Sequence, residues 1–319
     1  MSRTRIAVLS GGLGGARLAL ALQAAGLERS TCFITNVGDD LWLNGFPVCP
    51  DTDSVLYALA GCFDEERGWG VLGDVFDDTP HTEWPWFRIG QRDAKQHQRR
   101  GSMLLSGKTC SEATAALGGL LGVTARVHPA TNDRLETRIR IGTEWLSFQE
   151  WLVRDRARNG VEEVLYVGAA GAVPSPGVVE ALSTAETVVL AASSPIASLA
   201  PILAIPGIAD VLRARHNSVI AISPLVARRP PDSERDVHRW QARAALLAAF
   251  GLEPTPVSVA GWLSALGVAA TFVLDPADSE DRMAVESLGL QVVVAPTIGS
   301  DAVDRAKLIA AIASAVRVV

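Results

Sequence analysis

Four aspartates fall within fifteen residues, Asp39, Asp40, Asp51 and Asp53, in the run TNVGDDLWLNGFPVCPDTDSVLY at positions 35–57. Carboxylates at this density suit Mg²⁺, a hard cation that takes oxygen ligands and keeps waters and substrate phosphates in its shell. Beside a diphosphate such an ion neutralises charge during phosphoryl transfer. A plainer reading stays open for each residue. Asp51, after Pro50, and Asp53 could cap the helix that begins there, and Asp39 and Asp40, next to Gly38, could serve a turn.

Upstream, VLSGGLGGARLALAL at 8–22 passes from an apolar strand through Gly11, Gly12, Gly14 and Gly15 into a helix. Bare backbone lets N–H groups approach a phosphate, and a helix starting there adds its positive end. Counted from Gly12 the pattern is G-x-G-x-x-R, so Arg17 stands where the dinucleotide fingerprint has its third glycine, and no GK[ST] of a Walker A loop follows. Close packing of helix on strand explains the glycines equally well.

The elements around these residues predict an α/β fold. RIAVLS, CFITNV, EVLYVG, TVVLAA, SVIAIS, ATFVLD and LQVVVA are apolar runs separated by Ala- and Leu-rich helical stretches, the text of a parallel sheet covered on both faces. We expect a Rossmann-like, doubly wound, mostly parallel core from residues 1–61 and 162–319. Residues 62–161, richer in charge and tryptophan, read as an inserted, smaller, mostly helical subdomain with a few strands around Arg126 to Phe148. Ligands of such sheets lie beyond the carboxyl ends of the strands. Four of those ends carry glycine or polar text: SGGLGGAR, NVGDD, AASSP and ISPLVARR.

The formal charge of −6 gives no general attraction to nucleic acid or to an anionic membrane, so a phosphate ligand must be held locally. Cys32, Cys49, Cys62 and Cys110 show no CxxC spacing, and neither a zinc site nor a disulfide framework is indicated. A reducing cytoplasm is the expected compartment. Arg3 and Arg5 precede an apolar run, but the glycines and Arg17 interrupt it before it could act as an export signal or span a membrane.

Taken in order, GGLGGARL, NVGDDLWLNGFPVCPDTDSVLY, RGWG, Arg92-Asp93, FQEWLV and SPIASLAPILAIPGI resemble the CofD/FbiA family, transferases of deazaflavin coenzyme F-420 biosynthesis. The resemblance runs over nearly the whole chain. It implies transfer of a phosphorylated three-carbon acid from a guanosine diphosphate-linked donor to the ribityl hydroxyl of the deazaflavin Fo, with release of GMP. It further implies that Gly11, Gly12, Gly14, Gly15, Arg17 and Asn36 lie at the donor diphosphate, and that Asp40, Asp51 and Asp53 hold Mg²⁺ or position the hydroxyl. Asp40 is the first choice as ligand or base. Ser193, Ser194, Pro195 and Ser198 would bind phosphate or guanine edges, and a homodimer is expected. Phe148 and Trp151 of FQEWLV, three residues apart on a helix, read as core packing.

Several positions depart from the family pattern. Gln91 replaces an acid of LGDRD, Asn132 opens NDRLET, Ser194 breaks S-N-P, and SPLVARRPPDSERD replaces a glycine-rich loop. Arg228 and Arg229 there offer guanidinium groups suited to phosphate or carboxylate, or else a solvated basic loop. Phosphoenolpyruvate, 2-phospho-L-lactate and phosphoglycerate donors all stay open. The rival readings are a noncatalytic nucleotide-sugar-binding regulator of the wider CofD-like superfamily, an NAD-dependent oxidoreductase and an interaction module. Arg17 speaks against the oxidoreductase, and the LWLNGFPVCPDTDS continuation against the regulator.

Overall fold

The computed structural model describes residues 4–43, 45–76, 84–158, 160–229, 231 and 233–316. Arg3, Pro230 and Asp232, named above or within the loops discussed, lie outside these. Strands β1 (Ile6–Ser10) and β2 (Thr31–Thr35) are followed by an antiparallel pair, β3 (Leu41–Leu43) and β4 (Phe46–Val48), and by β5 (Arg126–Pro129). An antiparallel sheet of β6 (Glu136–Ile141), β7 (Glu144–Ser147) and β8 (Glu163–Val167) comes next. The chain then adds β9 (Thr187–Leu190), β10 (Val219–Ile222), β11 (Thr271–Leu274) and β12 (Gln291–Val294).

Seven strands pair in parallel in the order β12-β11-β10-β9-β1-β2-β5. From β1 the chain builds outward through β2 to β5, then returns to the other side of β1 and builds the opposite way from β9. The strand order therefore reverses between β1 and β9. In a doubly wound sheet that reversal opens a crevice at the carboxyl ends of the two strands.

Helices cover both faces because successive side chains of each strand point to opposite sides. On one face Val8, Phe33 and Val189 pack with α1 (Gly12–Ala24), α2 (Pro50–Leu59), the middle of α4 (Cys110–Leu120) and α11 (Ala302–Val316). Between α2 and α4, α3 (Gln91–Leu105) packs on α4 and β4. On the other face Ala7, Leu9, Val188 and Leu190 meet the helices between β8 and β12. These are α5 (Val178–Thr184), α6 (Ala200–Leu203), α7 (Ile208–Ala214), α8 (Glu234–Ala249), α9 (Pro256–Leu266) and α10 (Arg282–Glu286).

The doubly wound reading holds, with one exchange of strands. EVLYVG, read as a core strand, is β8 of the small sheet, where Leu165 and Val167 are 42% and 50% exposed and cover nothing on the main core. The place it would have taken at the edge is filled by β5, within the segment 62–161, which pairs with β2 from Cys32↔Arg126 to Thr35↔Pro129. RVHP is short and polar, and an edge strand needs no continuous apolar run. The segment 62–161 is thus tied into the main sheet through β5 as well as carrying α3, α4, β6 and β7. Among the described residues no single helix is long and apolar enough to cross a membrane.

α1 leaves the sheet at the reversal point and must pass close to β9. A Cβ on Gly14 would stand 2.0 Å from the Ala192 carbonyl oxygen, and one on Gly15 would stand 2.8 Å from Ser10 Cβ. Both glycines therefore serve packing of helix on strand ends. Gly14→Ala is expected to lower the free energy of unfolding by about 1–3 kcal/mol, the usual cost of overpacking a rigid backbone contact. A urea melt checks this, and an unchanged midpoint would show that α1 has room to shift.

Candidate active site at the reversal of the sheet

The two strand ends are fastened by one serine. Ser193 Oγ accepts from the Gly11 N–H at 2.9 Å and donates to the Gly11 carbonyl at 2.7 Å. Its one hydroxyl proton is spent in that clasp, so Ser193 shapes the loop and has no proton left to donate to a ligand through its side chain. Ser194 caps the turn Pro195–Leu199, accepting from Ala197 N–H at 3.3 Å, with Pro195 at its first position. Ser193 and Ser194 both line the crevice; Pro195 is buried behind it.

Behind the glycine loop stands a pair of carboxylates. Asn36 Nδ2 donates to Asp39 Oδ1 at 2.9 Å, to Asp51 Oδ2 at 3.0 Å and to the Ala197 carbonyl at 3.1 Å. Asn36 Oδ1 accepts from Gly38 N–H at 2.8 Å, which fixes the amide's orientation. A Cβ at Gly11 would fall 2.2 Å from Asp51 Oδ2 and 2.6 Å from Ser198 Oγ, so only glycine fits against this carboxylate. Burial pushes the Asp51 pKa up to about 6, while hydrogen bonds from Asn36, the Gly12 N–H and Ser198 hold it from rising further. Asp39 is pushed well above the ordinary carboxylate range, by burial first and by the charge of Asp51 second. Two like charges sharing one amide cannot both ionise freely without a cation.

This pair differs from the set expected from the sequence. Asp40, Asp51 and Asp53 do not converge on one point. Asp53 is buried in an ion pair with Arg100, which is itself 0% exposed. The second Asp53 oxygen accepts from Arg100 Nη1 at 3.1 Å and from the Cys49 N–H at 3.3 Å. His97 bridges onward, its Nε2 3.1 Å from Asp93 Oδ1, and Tyr57 donates to the same oxygen at 2.6 Å. Asp53 thus anchors α3 to α2, and its charge is already spent. Asp40 turns away toward Cys49 and Cys110. Asp39 takes its place, and the GDD tripeptide alone offered no way to choose between the two.

The glycine loop opens on a cavity of about 480 Å³. Gly11, Gly12, Gly14 and Ser198 form one wall, and Arg17, Arg229, Arg239 and Arg243 supply positive charge around it, offset in part by Asp236, which also lines it 3.3 Å from Arg239, and by Asp275, 3.4 Å from Arg229. Burial and the neighbouring Arg239 depress the Arg243 pKa to about 10, and burial lowers Arg17 and Arg239 as well. The Nε atoms of Arg17 and Arg243 are buried and without a hydrogen-bond acceptor among the described residues. Arginines that crowd and desolvate one another in this way favour a bound anion.

Arg228, expected at the ligand, is not part of this wall. Its guanidinium forms a two-pronged pair with Asp281 at 2.8 Å on each side, where it ties the loop to the acidic segment Pro276–Asp281. Its neighbour Arg229 lines the cavity instead. The sequence reading missed Arg239 and Arg243, although Asp236, Arg239, Trp240 and Arg243 recur at helical spacing along α8. Phe148 and Trp151 do pack in the core, their rings 5.9 Å apart, and Phe148 also borders the cavity. Gln91 opens α3, whose first turn is capped by Asp74: its carboxylate accepts from the N–H groups of Arg92 and Asp93 at 2.9 Å each.

Two carboxylates at a glycine loop, next to an arginine-lined cavity, fit Mg²⁺, which binds through one or two carboxylates and fills its shell with water and phosphate oxygen. Asp39 and Asp51 are the residues that would hold it.

Fold and site together define a doubly wound α/β protein with an arginine-lined cavity at the sheet's reversal point, backed by a paired carboxylate. The chain belongs to the 2-phospho-L-lactate transferase CofD family, whose model matches residues 6–286. It is similar to phosphoenolpyruvate transferases of Kitasatospora aureofaciens, 35% identical over 316 residues and 93% of each chain, and of Mycolicibacterium smegmatis, 38% identical over 246 residues, 71% of this chain and 75% of that one. A crystal structure of a UPF0052 family protein from Bacillus halodurans shares the fold, with a TM-score of 0.63 at 14% identity over 92% of this chain and 93% of that one. The protein is therefore a transferase of the CofD and phosphoenolpyruvate transferase type.

Proposed function

We infer that this chain moves a phosphoenolpyruvate-type moiety from a guanosine diphosphate-linked donor to the ribityl hydroxyl of the deazaflavin Fo, forming a phosphodiester and releasing GMP, as a step of coenzyme F-420 biosynthesis. The observation that carries this reading is the cavity where Gly11 and Gly12 meet Arg17, Arg229, Arg239 and Arg243. A donor with a diphosphate and a carboxylate brings several negative charges, and this wall supplies bare backbone together with the guanidinium groups of Arg17 and Arg243, whose Nε atoms have no acceptor among the described residues, and of Arg229 and Arg239, each beside a carboxylate. The relatives' names support phosphoenolpyruvate among the three acids the sequence left open.

In the reaction the Fo hydroxyl oxygen attacks the phosphorus bearing the acid, the bond from that phosphorus to the oxygen of GMP breaks, and the hydroxyl proton leaves to the freed GMP phosphate or to water. Such a transfer asks the protein mainly for positioning and charge neutralisation, and it needs no protein nucleophile. The Ser193 clasp keeps the glycine loop rigid, and the arginines orient the donor. Mg²⁺ held by Asp39 and Asp51 would neutralise charge that builds between the two phosphates.

Mass spectrometry of reactions holding the protein, Fo, Mg²⁺ and, separately, each of the three guanosine diphosphate-linked acids tests this. GMP with the enolpyruvyl phosphodiester adduct is the expected result. Absence of any adduct from folded protein that still binds nucleotide would favour the noncatalytic regulator. Within the transferase reading, Arg243→Met is expected to raise the donor KM about 10- to 100-fold while changing kcat little, because a charged hydrogen bond contributes about 1.5–3 kcal/mol to binding. An unaltered KM would remove Arg243 from the donor site.

A further inference from the structure

Away from the cavity, two thiols and a carboxylate meet. One ligand atom from each of Asp40, Cys49 and Cys110 lies within 4.8 Å of the other two. They come from three segments: Asp40 ends the turn after β2, Cys49 is the residue before α2, and Cys110 is the first residue of α4. Cys49 is 2% exposed, whereas Asp40 and Cys110 are half-buried, so the cluster is closed on one side and reaches water on the other. Asp40 Oδ1 is buried and has no hydrogen-bond donor among the described residues. The transfer reaction uses none of the three.

The geometry points to a metal site distinct from the Mg²⁺ position: Asp40, Cys49 and Cys110 bind a soft divalent cation of the Zn²⁺ class, with water as the fourth ligand. Ligand type separates the two sites, because thiolates select zinc-like ions whereas a site made only of carboxylates selects magnesium. With Zn–S near 2.3 Å and Zn–O near 2.0 Å, a tetrahedral ion sets its ligand atoms about 3.5–3.8 Å apart, so the cluster needs only to contract by about an ångström. A cation also gives the orphaned Asp40 oxygen the partner it lacks.

Binding converts both thiols to thiolates and releases their protons. Both cysteines sit at helix N-termini, where the helix dipole favours negative charge. Asp53 is not available as a fourth ligand, since Arg100 already holds it. The ion would fasten α4 to the turn and helix that carry Asp39 and Asp51, acting as a staple beside the active site.

Titration of the full-length, phosphine-reduced protein with Co²⁺ followed by Zn²⁺ reads the site directly. One equivalent of Co²⁺ should give thiolate-to-cobalt charge-transfer absorption that Zn²⁺ abolishes. Cys110→Ser should weaken Zn²⁺ binding about 100-fold or more and remove the absorption. Asp40→Asn should weaken binding with the thiolate bands retained, which covers the case of a serine variant that folds poorly. Cys62→Ser, outside the cluster, should leave both unchanged. No charge-transfer band in the unsubstituted protein, unaltered affinity in Cys110→Ser, or a Cys49–Cys110 disulfide that on reduction yields no metal binding would each overturn the assignment.

Discussion

Asp51→Asn is expected to abolish most turnover and yet to melt at a higher temperature than the unsubstituted protein at pH 7.5. Both halves of this result follow from one carboxylate. Loss of a group that positions charge at a phosphoryl transfer site costs about 100- to 1000-fold in kcat. The stability gain follows from linkage. Burial raises the folded-state pKa of Asp51 from 3.8 to about 6, so the folded chain binds this proton more tightly than the unfolded chain does. Ionisation therefore costs stability as pH rises, and the full cost is present above about pH 6. The gap between the two pKa values, which already counts the hydrogen bonds from Asn36, Gly12 and Ser198, corresponds to about 3 kcal/mol, and this is the upper bound on the gain from a neutral amide at this position. Below about pH 4 both states carry the proton and the difference between the variants should vanish. Calorimetric melts of both proteins from pH 4 to 8 check this. A variant less stable than its parent at every pH would show that the carboxylate holds the loop together rather than straining it.

Arg100→Met has the largest expected effect on stability. Asp53 would remain buried 5% exposed with its ion-pair partner gone, and stranding one member of a buried pair costs about 3–5 kcal/mol. The double variant Arg100→Met, Asp53→Leu should recover most of that loss, because replacing both charges by apolar groups avoids the uncompensated one. Urea midpoints for the two singles and the double give the coupling. A loss under about 1 kcal/mol in Arg100→Met would mean that water reaches Asp53, and would reopen it as a metal ligand.

These two residues also show how far the sequence could be read. Asp51 and Asp53 share a helix start and an acidic run, and nothing in the local text says that one faces the glycine loop and the other a guanidinium 47 positions away. The parallel sheet was legible because each central strand is a continuous apolar run, and so was its ligand-binding edge, because polar text follows those strands. β5 fell among the strands expected around Arg126 to Phe148, but its place in the main sheet escaped notice because an edge strand needs little apolar surface, and β8 was over-read because its valines and leucine are half exposed. Arg228 and Arg229 are neighbours in sequence, but they part when the first meets Asp281 and the second turns to the cavity. Long-range partners decided each case, and a single sequence carries pairing information only where spacing is local.

The Ser193 clasp also bears on how the protein acquires its site. Its two ends, Gly11 and Ser193, are 182 residues apart in sequence. They belong to opposite wings of the sheet, one growing from β1 toward β5 and the other from β9 toward β12. A contact of that span forms only after a long loop has closed, which makes it late and slow relative to the helices on either side. The glycine loop thus takes up its final shape when the two wings dock, and the Gly11 amide exchanges with solvent when they part rather than when α1 frays.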